Sequence, residues 1–292
     1  EALARNDDAM QHLAKAHWLA TAAGDSEHAA RSAAYLGYLH AQHRRNKESA
    51  ADWSELARAN AERLERPPRL WATVINEQGE MEGANANYKA AVELHREALR
   101  TLEEHGAPGV ATTLQSLARA LNQTAEYDEA LATIERAITL LSSELGAEHP
   151  KVAKAKGTQA HILHRRGEYD RALEIQREAV QGLQAALGPG HVSTGDALIN
   201  LGTMLQTKGE IDDAQAAYEA ARVAFESGTG EHKHQVALAL DGMGVLAYMR
   251  GDLEGAVKLF EESIAITEAK LGKMDPSLTN TLSNHAAILS VL

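Results

Sequence analysis

The stretch from Gly146 to Gly272, which opens Gly146-Ala147-Glu148-His149-Pro150 and closes Leu271-Gly272-Lys273-Met274-Asp275-Pro276, decides the fold. Gly146, Gly188, Gly230 and Gly272 stand 42 residues apart. The same offset returns Gly167, Gly209 and Gly251, then Ala130, Ala172, Ala214 and Ala256, and then Ala137, Ala179, Ala221 and Ser263. A fixed period of this size is an internal repeat, the mark of a chain built from stacked supersecondary units.

Gly195 to Val236 shows what one unit contains. Leu198, Leu201 and Leu205 recur three and four residues apart, the spacing of one helical face. Gly209 then breaks the pattern, and Ile211, Ala214, Ala217, Tyr218, Ala221 and Phe225 resume it. A glycine that takes the left-handed conformation ends a helix, so each unit reads as a helical hairpin. Ala214 and Ala221 lie seven apart on one face, where small side chains let the neighbouring helix approach, and Gly202 does the same on the first helix. In the linkers a glycine closes the second helix, Asp275 is placed to cap the next, and proline suits a first helical position.

These residues resemble the tetratricopeptide repeat family, whose leucine–glycine pair, turn glycine and two alanines seven apart stand here as Leu201, Gly202, Gly209, Ala214 and Ala221. Gly167-Glu168-Tyr169 supplies the family's aromatic residue two positions after the turn glycine. The longer period is similar to the variety found in kinesin light chains and in many bacterial signalling proteins. Its excess over the common 34 residues amounts to about two helical turns, which lengthens the hairpin without changing its phase. The resemblance implies an all-α, right-handed α-solenoid of antiparallel helical hairpins in which first helices line a concave surface.

The repeat can be followed to both ends, and the chain is read as one array over residues 1–292. Ala9 and Ala16 have the spacing of second-helix alanines, so residues 1–23 read as a second helix without its first. Hairpins follow at about 29–66, 69–105, 110–146, 151–188, 192–228 and 234–272, and 277–292 reads as a terminal first helix cut from a longer array. The step is 41 residues from Ala9 to Ala50 and from Ala50 to Ala91, but 39 from Ala91 to Ala130. Gly79 and Gly83 are expected to interrupt the first helix of that irregular hairpin, with a joint near residues 79–110. Glu1 already lies inside a helical pattern, so a fragment of something longer is expected.

The formal charge is -12, with 41 acidic against 29 basic residues, which disfavours nucleic acid and anionic membrane as partners. With no cysteine there is no disulfide framework, and no run has the length of a membrane span. A cytoplasmic protein is expected. No phosphate-binding loop, zinc motif or nucleophile elbow occurs; Gly228-Thr229-Gly230-Glu231-His232-Lys233 reads as a repeat linker. His40 with His43 and His161 with His164 are three apart, yet neither pair has evident carboxylate companions, and no metal or cofactor is expected. Tyr88, Tyr127, Tyr169, Tyr218 and Phe260 fall at repeat-phased positions expected in the core. An enzyme is not expected.

Charge divides between the helices of a repeat. From Lys151 to Arg166 there are Lys151, Lys154, Lys156, Arg165 and Arg166 with no acid, and from Val110 to Ala125 the one charge is Arg119. Groove positions implied by the resemblance are Gln115, Arg119, Asn122 and Gln123, then Lys154, Thr158, His161, His164 and Arg165, then Asn200, Thr203, Gln206 and Thr207. Asn200 and Asn284 match an asparagine that contacts peptide backbone in kinesin-light-chain-like arrays; Asp241-Gly242, Thr158 and Ser116 depart from that ladder. The expected function is a protein or peptide interaction module, a non-catalytic part of a larger signalling protein, whose groove binds a polar or acidic segment. The alternative is a peptide-sensing regulator whose superhelix changes pitch on binding. Self-association through the end hairpins stays open.

Overall fold

A computed structural model describes residues 2–43, 46–227 and 235–291. The linker around Gly230, with the hairpin limits expected at residues 228 and 234, lies outside them. Among the described residues there are fourteen α-helices and no strand. They gather into two compact units, Ala2–Leu141 and Ser142–Leu292.

The first unit holds α1 (Ala2–Ala22), α2 (Ser26–His43), α3 (Lys47–Arg63), α4 (Pro68–Ala84), α5 (Tyr88–Glu104), α6 (Val110–Gln123) and most of α7 (Tyr127–Leu145). The second holds α8 (Pro150–Arg166), α9 (Tyr169–Leu187), α10 (Val192–Lys208), α11 (Ile211–Ser227), α12 (Val236–Met249), α13 (Leu253–Leu271) and α14 (Leu278–Leu289). Within the first unit α2 packs on α3 and α4 on α5; within the second the hairpins are α8 with α9, α10 with α11 and α12 with α13.

Small residues set the helix spacing. Ala50, Ala57, Ala91, Ala98, Ala130 and Ala137 on the second helices are at most 1 % exposed, as are Ala172, Ala179, Ala214, Ala221, Ala256 and Ser263. Ala9 and Ala16 of α1 are exposed. A second-helix ring packs directly against a first-helix glycine. A Cβ on Gly202 would stand 2.7 Å from the Tyr218 ring, and one on Gly244 would stand 2.9 Å from Phe260. Gly79 occupies the same place in α4, and its Cβ would meet the His95 ring at 2.6 Å.

The expectation that Gly79 and Gly83 interrupt the helix is therefore corrected: α4 is continuous through both. Glycine keeps its backbone N–H and so keeps the helical hydrogen bonds. Its propensity cost of about 1 kcal/mol is offset by the burial of His95 against it. Tyr218 and Phe260 are core residues as expected, at 2 % and 1 % exposure, but Tyr169 is 42 % exposed and leans its ring edge on His164.

The linkers cap the next helix in one way with two residue types. His149 accepts from Lys151 N through Nδ1 at 3.1 Å, and His191 accepts from Ser193 N at 3.0 Å. Asp275, three residues after Gly272 as His149 is after Gly146, accepts from Ser277 N at 2.9 Å. Each satisfies a backbone donor at a helix start.

The turns inside the hairpins differ between units. Gly167, Gly209 and Gly251 hold φ of 92°, 83° and 82°, whereas Ala86 and Ala125 hold the equivalent positions at 63° and 64°. A side chain in this region costs roughly 1–2 kcal/mol, partly balanced by the greater unfolded-state freedom of glycine. Ala86→Gly and Ala125→Gly are expected to stabilise by about 0.5–1 kcal/mol each, and Gly209→Ala to destabilise by about 1 kcal/mol, read as shifts in urea midpoint at constant slope.

Candidate functional site: the first-helix faces

In the second unit the first helices α8, α10, α12 and α14 are successive neighbours. Because the second helices cover one side of each, the opposite stripe reaches solvent. On α8 that stripe is Lys154, Thr158, His161 and Arg165, spaced by four, three and four residues. One period on, α10 shows Asp196, Asn200, Thr203 and Thr207, and α12 shows exposed Leu238 and Met249. On α14 the stripe is Asn280 and Asn284.

The cations of α8 divide into two sets. Lys156 binds Glu178 at 2.6 Å and Arg166 binds Glu168, so both are neutralised by their own hairpin. Among the described residues Lys151, Lys154 and Arg165 have no carboxylate partner, and all three are exposed. Desolvation, then the Arg165 and His164 charges, lower the pKa of the otherwise exposed His161; burial lowers that of His164. Both rings are thus neutral at pH 7 and offer hydrogen bonds rather than charge. Thr158 turns its hydroxyl to Lys154 O at 3.4 Å.

On α10 the polar groups are partly held in place. Tyr218 donates to Gln206 Oε1 at 3.0 Å and lies 3.2 Å from the Thr203 hydroxyl, which also donates to Ile199 O at 3.0 Å. The same Tyr218 ring explains the departure from the asparagine ladder. A Cβ on Gly242 would stand 2.5 Å from it, so the ring occupies the space an asparagine side chain would need. Asp241 beside it is committed to the core, accepting from Thr281 Oγ1 at 2.7 Å. The exposed apolar pair Leu238 and Met249 escaped the sequence reading, although their place one period after Asp196 and Thr207 was available as a signal.

The first unit presents a different surface. Asn122 is buried, 3 % exposed, and contributes to the interior rather than to a surface. Gln115 is half-buried and bends to Ala111 O at 3.4 Å, while Gln123 is exposed. Arg119 is not a free cation: its Nη2 lies 2.5 Å from Glu80 Oε1 on α4, which also accepts from Ser116 Oγ at 2.5 Å. Glu80 and Glu77 are three apart on the same helix, a pairing the sequence shows and the reading of α4 as an interrupted helix concealed. Burial first, and then the Glu80 charge, push the Glu77 carboxyl up to about 7.

Among the described residues no group of three or more histidine, cysteine or acidic side chains is placed to hold a metal, and no described helix is long and apolar enough to cross a membrane.

The model of the tetratricopeptide repeat matches residues 71–143, 110–185, 151–227 and 196–269, most of the chain. The chain belongs to the tetratricopeptide repeat family. No curated protein matches it. Among solved structures, BtubC (BKLC) from P. vanneervenii is 22 % identical, with 77 % of this chain and 90 % of that one covered and a TM-score of 0.62. A Rap protein complexed with Competence and Sporulation Factor is 16 % identical over 99 % of this chain and 87 % of its own, with a TM-score of 0.62. NprR in complex with its cognate peptide NprX is 13 % identical over 99 % and 82 %, with a TM-score of 0.61. These likenesses establish the α-solenoid fold of helical hairpins.

Glu77 sets a pH dependence of stability in this family member's first unit. Its folded pKa, about 7, exceeds the ordinary carboxylate value of 4.5, so the folded state holds more protons in between. Stability is then lost as pH rises through that window. Relative to wild type, a Glu77→Gln variant should gain about 1–2 kcal/mol between pH 5 and pH 8, a partly solvated carboxyl giving less than the full shift implies. Urea midpoints at the two pH values measure it.

Proposed function

We propose that this chain is a non-catalytic recognition module whose α8 and α10 stripes bind an extended protein segment bearing acidic side chains. One observation carries the reading: Lys154 and Arg165 are exposed on one face of α8 with no carboxylate partner among the described residues, in a chain of charge -12. Cations left unpaired in a strongly acidic protein are available for a carboxylate from outside. Thr158, His161, Asn200 and Thr203 lie between and beside them as neutral donors and acceptors suited to a peptide backbone. Gln206 and His164 act from behind that surface, Gln206 through its bond from Tyr218. Asn284 extends the same chemistry on α14, while Gln115 and Gln123 offer amides on the first unit. Arg119, spent on Glu80, is assigned to holding that carboxylate.

Solved structures of the same fold support a peptide as the occupant, since the Rap protein was solved with Competence and Sporulation Factor and NprR with its cognate peptide NprX. Eleven helical residues separate Lys154 from Arg165, about 16 Å at the helical rise, so carboxylates about five residues apart in an extended segment meet both. A capped peptide with two glutamates at that spacing is expected to bind at least ten-fold more tightly than its glutamine counterpart at low salt. A Lys154→Glu, Arg165→Glu double variant should lose that preference while keeping its helical circular dichroism and urea midpoint. Equal binding of the two peptides, or an unchanged preference in the variant, overturns the proposal.

A further inference from the structure

The first unit contains an open cavity of about 260 Å³ whose lining includes Arg69, Asn76, Glu77, Gly109, Thr112 and Thr113. It lies where two helices begin. Neither α4 nor α6 has an acid in its first turn, and neither N-cap, Pro67 or Gly109, makes a side-chain capping bond. The leading N–H groups of α6 therefore stay without an acceptor among the described residues. Arg69, the second residue of α4, adds a full positive charge; it is exposed and has no carboxylate partner among the described residues. A cation in a first helical turn opposes the helix dipole, so the fold gains nothing from it at that place.

Two buried side chains add donors to the same space. Asn76 is 9 % exposed, and its Oδ1 lies 3.1 Å from His95 Nδ1. With the amide oxygen accepting from the imidazole, Asn76 has Nδ2 left for the cavity it lines, and those hydrogens meet no acceptor among the described residues. Thr113, 4 % exposed, has a hydroxyl with no hydrogen-bond partner among them either. Buried donors without partners cost the fold free energy, which a ligand that accepts from them restores. Glu77 is the one acid in the lining, eight residues and so about 12 Å along α4 from Arg69. The charged and titratable groups that face it are Glu80, Arg119 and Tyr38; burial and the Glu80 charge outweigh Arg119, and the carboxyl keeps its proton up to about 7. Below that pH the cavity's one full charge is that of Arg69. A ligand that completes this set carries negative charge and several acceptor oxygens. The guanidinium, the amide, the threonine hydroxyls and the helix-start N–H groups outnumber the lone pairs of a carboxylate and suit the terminal oxygens of a phosphoryl group.

We propose that this cavity binds a phosphoryl group, free or as a monoester, with Arg69 and the start of α6 as its charge partners and Asn76 Nδ2 and the Thr113 hydroxyl as its buried donors. His95 is a positioning residue that holds the Asn76 amide. The site shares no residue with the α8 and α10 stripes and does not depend on the acidic-segment reading, which concerns the other unit.

The test is titration of the full chain at pH 6 and pH 8, followed by calorimetry and by the amide chemical shifts of Val110 to Thr113. The probes are inorganic phosphate, glycerol phosphate and a capped glycine peptide with one central phosphoserine. Each is expected to bind, and glycerol and the unmodified serine peptide to bind about ten-fold more weakly or less. A phosphopeptide that binds more tightly than both small probes identifies a modified protein as the source; one that binds no more tightly identifies a small phosphate compound. Arg69→Ala, at an exposed position, should lower phosphate affinity about five-fold or more while keeping the helical circular dichroism and urea midpoint, and Thr113→Val should lower it about two-fold or more. Comparison of two proteins at one pH removes the ligand's own titration. Glu77→Gln should bind phosphate about three-fold or more tightly than wild type at pH 8 and equally at pH 6, because the carboxyl ionises in between. None of these variants should alter binding of the diglutamate peptide, so failure here and failure of the acidic-segment reading are told apart. No binding of any phosphoryl probe, equal binding of the unphosphorylated counterparts, or an affinity at pH 8 unchanged by Arg69→Ala or by Glu77→Gln overturns the proposal.

Discussion

Close approach of the two helices within a hairpin is the constraint on which the rest of the structure depends. It is achieved by removing side chain rather than adding it. Alanines seven apart on the second helix are essentially without solvent contact, and a ring from that helix lies on a bare glycine of the first at Gly79, Gly202 and Gly244. Dispersion and apolar burial are then gained over a contact with no gaps, which a methyl at any of these glycines would force apart. One side of each first helix is consumed in this contact. The other side is left to solvent, and it is there that residues not required for folding are free to vary in charge and size.

That freedom has been used differently in the two units. On α8 the hairpin neutralises Lys156 and Arg166 and leaves Lys154 and Arg165 without a carboxylate partner among the described residues. On α4 Glu80 is paired with the Arg119 guanidinium, and His95, packed on Gly79, is kept neutral by its burial. The same ring-on-glycine contact that elsewhere buries a tyrosine or phenylalanine here buries an imidazole. A packing position thereby acquires a hydrogen-bond acceptor without a change in backbone.

The hairpins of the second unit were legible because each signal had a local cause. Gly167 and Gly209 mark left-handed turns, and Ala214 with Ala221 marks a helix contact, both within a few residues. The first unit was harder to read for the opposite reason. Ala86 and Ala125 adopt the turn conformation without being glycine, so composition gives no sign of it, and the steps of 41 and 39 residues remove the register against which Gly79 is recognised. Counted from the alanine instead, Gly79 stands twelve residues before Ala91, as Gly202 stands before Ala214, and that shared offset marks it as the seat of His95. The site suffers a further difficulty. Glu80 and Arg119 meet across 39 residues and Asn122 turns into the interior, outcomes set by helix rotation that a list of groove positions does not contain. Likewise Gly242 is a departure from the asparagine pattern only until the Tyr218 ring is seen against it.

The constant period between Gly146 and Gly272 bears on how such a chain changes length. Among the described residues, the turn glycines Gly167, Gly209 and Gly251 and the small residues Ala130, Ala172, Ala214 and Ala256 stand 42 apart and hold the same places in successive hairpins. Loss or duplication of one such segment by unequal recombination joins chain ends that were already neighbours in kind, so each new junction inherits contacts the old one had. The stretch before Ala130, with its unequal steps, lacks this interchangeability, and a deletion there would bring Ala86-type and glycine turns out of phase. Variation in the number of repeats is therefore structurally cheap after Ala130 and costly before it.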